Sequence, residues 1–178
     1  EAVIDFTTQS HYDVEQAQAK TPGGVDVLVA AVRLPVVDYY EQVAAAAGVR
    51  LLRLGLRPYA DHHCVETCLP SGAQECIGLV HVTADETEID VLEGGSLSFS
   101  RSAAVKVPPG GGEGAAEAAR EVVMEVTRSL QSFQAVERGR RVARVLLAGG
   151  TGLEGRVAEQ LAGRLGVPCE TFDPAAGL

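Results

Sequence analysis

The chain has no tryptophan, a single methionine and only 4% aromatic residues. Its apolar content is carried mostly by alanine, valine and leucine. Basic charge is short as well. A net charge of −9 argues against a nucleic-acid partner, whose affinity would come from Lys and Arg neutralising phosphates. It argues equally against docking on anionic lipid through a broad basic surface. Lysine is nearly missing, with two against thirteen arginines, which reflects genome composition more than mechanism. No apolar run approaches the ~20 residues needed to cross a bilayer, and there is no signal-peptide pattern. The sequence starts at Glu1, in what reads as a strand, EAVIDF, and ends just after FDP. It is therefore expected to be a piece of a longer protein.

What is present is ample for folding. With 178 residues, 46% of them hydrophobic and 22% charged, the chain can bury one substantial core or two small ones. The four cysteines, Cys64, Cys68, Cys76 and Cys169, read as free thiols of a cytoplasmic protein, because a domain of this size does not need disulfides. Residues 1–8 read as extended, 11–20 as polar and irregular or weakly helical, and Thr21-Pro22-Gly23-Gly24 as a turn. The apolar run 25–32 predicts a buried strand. Leu34-Pro35 opens a helix, since Pro suits the first helical position. Val36, Tyr40, Val43, Ala44 and Ala47 fall at helical spacing, and Gly48 closes the helix. Residues 49–56 are expected to return as a strand. Together these make a small α+β subdomain over residues 1–56.

A connecting helix and loop follow over residues 57–76, with the helix at 57–69 ended by Pro70-Ser71-Gly72. From Ile77 the pattern changes to three strands in quick succession, 77–84, 87–93 and 96–105. Gly94-Gly95 is a hairpin signal, because such turns demand positive φ. The loop PPGGGEG leads into a helix over 115–136. There Ala115, Ala119, Val122, Val126, Leu130 and Phe133 form one apolar stripe, as a helix laid across a sheet requires. A strand over 142–148 ends in Gly149-Gly150. The next helix carries Leu153, Val157, Leu161 and Leu165 on one face and is capped by Gly166, and a last strand spans 168–172. Strand–helix–strand units of this length imply parallel pairing. Residues 77–178 thus read β-β-β-α-β-α-β, an α/β lobe with a mixed five-stranded sheet. There is no internal repeat.

That order resembles one lobe of the actin-like (ribonuclease H-like) ATPase superfamily. LVHVTADETEIDVLEGGSLSFSR is similar to the second phosphate-binding hairpin of the PilM family, the actin-like proteins of the type IV pilus assembly platform. VARVLLAGGTGLEGRVAEQLAGRLGVPCETFDP resembles the adenosine-motif segment of that family. VDVLVAAVRLPVVDYYEQVAAAAGVRLLRL resembles its small inserted subdomain, a form shared with FtsA. A type II secretion platform protein of the GspL kind shares the fold and competes closely.

The resemblance implies nucleotide contacts at Thr83, Ala84, Asp85 and Glu86 of the hairpin and at Gly149 and Gly150. The chain departs from the pattern at two of the chemical positions. Where the family has a metal-orienting Asp it has His81, and where the family has Gly it has Thr83, whose side chain resists close approach of a phosphate. Asp85 and Glu86 add repulsion, since two unit charges ~4 Å apart near a surface interact by roughly 4 kcal/mol. The hairpin alone also reads as plain sheet, and the Gly149-Gly150 turn reads equally as a steric need for glycine. Cys64, Cys68, Cys76 and His81 could form a zinc set. However, only one paired knuckle exists where structural zinc sites use two, so thiols packing helix against sheet is the preferred reading. A Cys–His nucleophile lacks an orienting third group.

The resemblance implies a cytoplasmic scaffold of a type IV pilus or type II secretion platform. It would bind the cytoplasmic tail of a PilN-like inner-membrane protein and so lie on the membrane without spanning it. Val36, Tyr39 and Tyr40 are the partner-contact candidates, and a homo-oligomer is compatible with the sequence. The nucleotide site is expected to be degenerate, no cofactor is expected in this piece, and any ATP and magnesium would need the other lobe. Two alternatives stay open: an active actin-fold ATPase completed by that lobe, and a zinc-binding module.

Overall fold

The computed structural model describes residues 1–8, 27–69, 75–94, 96–108, 112–136 and 140–175. The expected structures at 11–20, Thr21 to Gly24 and Pro70 to Gly72, and Gly95 of the hairpin turn, lie outside the described residues. The chain divides into two units, Glu1–Arg57 and Pro58–Leu178.

In the first unit β1 (Ala2–Thr8) pairs antiparallel with β2 (Val27–Arg33), with Phe6 opposite Val29 and Ile4 opposite Ala31. The helix α1 (Leu34–Ala46) follows at once, with Pro35 in its first turn, where the missing N–H costs nothing. Its end is marked by Gly48 at φ +70°, and the Val49 amide donates to the Ala44 carbonyl. Two expectations fail here. β2 is not buried but alternates half-buried and exposed positions, because a ribbon of two strands has one helix to cover it. Residues 49–56 form no strand. Their apolar positions, 49, 51, 52, 54 and 56, do not alternate with period two, and β1 and β2 already pair with each other. The segment's Val49 and Leu52 are accordingly 62% and 77% exposed.

The helix α2 (Arg57–Cys68) lies, all but its first residue, in the second unit, which continues through β3 (Cys76–Val82), β4 (Thr87–Glu93), β5 (Ser96–Ala103), α3 (Ala115–Val136), β6 (Arg144–Gly149), α4 (Glu154–Leu165) and β7 (Cys169–Thr171). The five strands lie in the order β5-β4-β3-β6-β7. β3 runs antiparallel to β4 and parallel to β6, and β6 runs parallel to β7. The mixed sheet expected from the order of elements is therefore present. Even-numbered residues of β3, Val80 and Val82, join Ile89 and Val91 of β4 and Val145 and Leu147 of β6 in one core with α3 and α4. All six stripe residues of α3 are buried in it. The odd-numbered residues of β3 face the other way, as a period of two requires, and there His81 meets Asp61 of α2.

α4 starts with a Thr-x-x-Glu arrangement. Glu154 Oε1 accepts from the Thr151 amide at 2.8 Å and from its hydroxyl at 2.7 Å, and Thr151 Oγ1 accepts from the Leu153 amide at 3.3 Å. The last of these bonds satisfies the amide at the helix cap, Leu153, which a helix start leaves open. At the other end Gly166 takes the left-handed conformation, φ +70°, and its amide donates to Ala162.

Leu130 is 2% exposed in the middle of the α3 stripe. Leu130→Ala is expected to cost about 2–5 kcal/mol, read as a lower midpoint in urea denaturation. A loss below about 1 kcal/mol would show that α3 does not carry the core.

Candidate functional site

β3 and β6 run parallel, so their carboxyl ends emerge side by side, with Val82 opposite Gly149. Ligands of open α/β sheets collect at this edge. A cavity of about 350 Å³ lies there, lined by His81, Val82, Thr83 and Ala84 on one side, Val107 and Pro108 on another, and Gly150 and Thr151 on the third. Of the six positions singled out for nucleotide contact, Thr83, Ala84 and Gly150 come together around this cavity. Asp85 is exposed at the tip of the turn. Glu86 points its Oε2 to the Ser102 hydroxyl at 2.8 Å.

The turn between β3 and β4 is held by Thr83 itself. The Thr83 amide donates to the Glu86 carbonyl at 2.9 Å, the Thr83 hydroxyl donates to the same oxygen at 2.9 Å, and it accepts from the Glu86 amide at 3.2 Å. Among the described residues no non-glycine has positive φ, so this turn has no steric need of glycine. The Ala84 carbonyl accepts from the Val107 amide at 2.8 Å, which ties the strand's exit to the segment that lines the opposite wall.

The two glycines after β6 differ. Gly149 has φ +150°, and a Cβ there would run into the Val82 carbonyl oxygen and stand 2.6 Å from Glu154 Oε1. Its glycine is a steric requirement of the strand-to-helix turn. Gly150 has open space around the same position and borders the cavity. Glu154 lies just behind this wall. Burial opposes its charge, but its own amide, the Thr151 hydroxyl and amide, and the Gly152 amide hold the carboxyl below its usual range.

On the other face of the sheet, His81 Nδ1 lies 3.3 Å from Asp61 Oδ2. Glu88, directly across from His81 in the register, brings a carboxylate oxygen to the same place. The donor atoms of Asp61, His81 and Glu88 lie within 4.8 Å of one another. The sequence reading missed Asp61 and Glu88. Glu88 could have been found from the hairpin, since strands 77–84 and 87–93 place it opposite His81. Asp61 could not, being twenty residues away on a helix whose docking no pattern announces.

The cysteines do not gather with His81. Cys76 opens β3, five residues before His81 and on the opposite face, packed against the α3 core. Cys64 and Cys68 share α2, and burial, then the neighbouring Cys68 thiol, push the Cys64 thiol up. Cys68 donates to the Pro174 carbonyl at 3.6 Å. Cys76 faces Glu93 across the ladder. Burial, then the Glu93 carboxylate, push its thiol up to about 12 against the partial relief of Arg140.

In the first unit the partner-contact candidates lie on α1. Val36 is half-buried, while Tyr39 and Tyr40 are 62% and 46% exposed and meet edge to face at 5.4 Å. The sequence reading did not single out the outward face of the ribbon. There Ile4, Phe6 and Val29 are 67%, 66% and 56% exposed and stand on one side of the two paired strands.

The family model described as type IV pilus assembly protein PilM matches residues 4–112. No curated protein sequence matches the chain. Among solved structures, the chain is similar to one described as a PilM–PilN type IV pilus biogenesis complex, with a TM-score of 0.73 and 20% identity over 97% of this chain and 56% of that one. It is also similar to a Bacteroides thetaiotaomicron protein described as having an actin-like ATPase fold and unknown function, with a TM-score of 0.51 and 10% identity over 98% of this chain and 55% of that one. The fold is thus actin-like, and the chain spans little more than half the length of either relative.

Two outcomes check this site. Gly149→Ala should destabilise the protein by about 2–3 kcal/mol while Gly150→Ala stays within about 0.5 kcal/mol. Equal losses in thermal denaturation would overturn the distinction. With a thiol pushed up to about 12, roughly one Cys76 in ten thousand is ionised at pH 8. A maleimide chase read by mass spectrometry should label Cys68 first and Cys76 last, and early labelling of Cys76 would contradict its burial.

Proposed function

The chain belongs to the type IV pilus assembly protein PilM family, and on that premise we propose that it is an actin-fold scaffold of a pilus machine, holding the cytoplasmic tail of a PilN-like inner-membrane partner rather than turning over ATP. The observation that carries this reading is the apolar outward face of the first unit. A ribbon of two strands is marginal by itself in water, and adjacent large side chains such as Ile4, Phe6 and Val29, all more than half exposed, mark interaction surfaces when they cluster. Tyr39 and Tyr40 offer aromatic anchors with a polar tip, the residue type that dominates binding energy at interfaces. A family relative assembled as a PilM–PilN complex supplies the class of partner. Among the described residues no helix is long and apolar enough to cross a membrane; the reading has the partner carry the attachment to the inner membrane.

The nucleotide part of the reading is a degenerate site. His81 replaces the acid that would orient a metal, and the Thr83 hydroxyl spends its bonds on closing its own turn. ATP with magnesium, if the intact protein takes them, would need the rest of the protein. This reading rests on the residues present at those two positions.

The test is fluorescence anisotropy of the full-length protein with a labelled peptide of the PilN-like tail, alongside phosphate release from ATP and magnesium. Saturable 1:1 binding is expected, weakened about tenfold or more by Tyr39→Ala and by Phe6→Ser, with no steady turnover. Failure of the peptide to bind, or binding indifferent to both substitutions, overturns the docking surface. Sustained phosphate release overturns the scaffold reading.

A further inference from the structure

We propose that Asp61, His81 and Glu88 form a binding site for one divalent transition-metal ion of the zinc class, open on one side toward the cavity at the end of β3. This inference does not depend on the pilus reading, since a scaffold or an enzyme could carry it.

Three separate elements converge to make the cluster. His81 and Glu88 are register partners on β3 and β4. Their side chains therefore leave the sheet on one face with Cβ atoms about 5 Å apart. Asp61 comes down from α2 onto the same face, and the donor atoms of all three lie within 4.8 Å of one another. The cluster is not a surface accumulation of acids. Glu88 is 7% exposed, and the side chains of His81 and Asp61 are 30% and 20% exposed. Two carboxylates this close at this depth favour a cation beside them, and a divalent ion is one that the three donors can hold.

The separation of His81 Nδ1 from Asp61 Oδ2 points the same way. At 3.3 Å it is longer than the ~2.7–2.9 Å of a charge-assisted hydrogen bond. Two donors on a tetrahedral zinc ion, each about 2.05 Å from the metal, stand about 3.3 Å apart. The three donor atoms, within 4.8 Å of one another, would draw closer around a bound ion. One imidazole with two carboxylates suits zinc, iron, nickel or manganese; it lacks the thiolates that select copper(I), and the imidazole disfavours magnesium and calcium. Three protein ligands leave a fourth position. His81 also lines the cavity with Thr83 and Gly150, so one ligand of the site stands at the cavity wall, and water or an anionic oxygen entering there would take the fourth position.

The experiment is calorimetric titration of tag-free, chelator-stripped protein with zinc, with cobalt as an optical substitute. One ion per chain is expected. Affinity should fall about tenfold or more in Asp61→Asn and in His81→Asn and remain in the double variant Cys64→Ser/Cys68→Ser, and cobalt should show weak visible bands without an intense thiolate charge-transfer band. A nitrogen NMR shift of one imidazole on zinc addition to the unsubstituted protein gives a reading free of any folding defect in the variants, which far-ultraviolet dichroism monitors. Absence of stoichiometric zinc, binding unchanged in both Asp61→Asn and His81→Asn, or a thiolate band that disappears with the cysteines would each overturn the site.

Discussion

β3 takes antiparallel bonds from β4 on one side and parallel bonds from β6 on the other, and most of the second unit follows from that double pairing. The antiparallel side returns through a four-residue turn, while the parallel side needs α3 to come back in the same direction. Both exits therefore open at one edge of the sheet, where residues from two distant stretches of sequence line a common cavity. A strand also has only two faces. Valines 80 and 82 point into the α3 core and His81 points at α2, and a slip of one residue would exchange them. The buried valines thus fix the register that places the histidine.

The turn after β3 shows how a motif can keep its form with different chemistry. A glycine at position 83 would leave the backbone free to wrap a ligand. Thr83 instead closes the turn with its hydroxyl, donating to one residue and accepting from its amide. The resulting hairpin has ordinary backbone angles throughout its described part apart from Gly94. Its stability comes from the chain and requires no ligand.

Much of the second unit was legible in the sequence because its signals are local and repeated. The 22-residue helix α3 carries its stripe over six turns, and the left-handed Gly166 marks the end of α4. The first unit was less legible. Residues 49–56 are rich in leucine, which suggested a strand, but no neighbouring strand edge takes them up, and hydrogen-bond partners cannot be read from composition. The candidate site was legible in its parts and not in its assembly. Thr83, Ala84 and Gly150 could be named from motif order. The meeting of Asp61 with His81 depends on how α2 docks, and the contrast between Gly149 and Gly150 depends on which of them faces the Val82 carbonyl.

Glu154 has one more consequence. The start of a helix ordinarily offers anions a ready-made positive pole. At α4 the chain fills that pole from within, with a carboxylate held on the Thr151 amide and hydroxyl. The lip of the cavity on this side therefore offers a phosphate no free positive pole. A guest there is sorted by outline and hydrogen bonding, and a phosphate would have to displace a resident anion that already has its proton off.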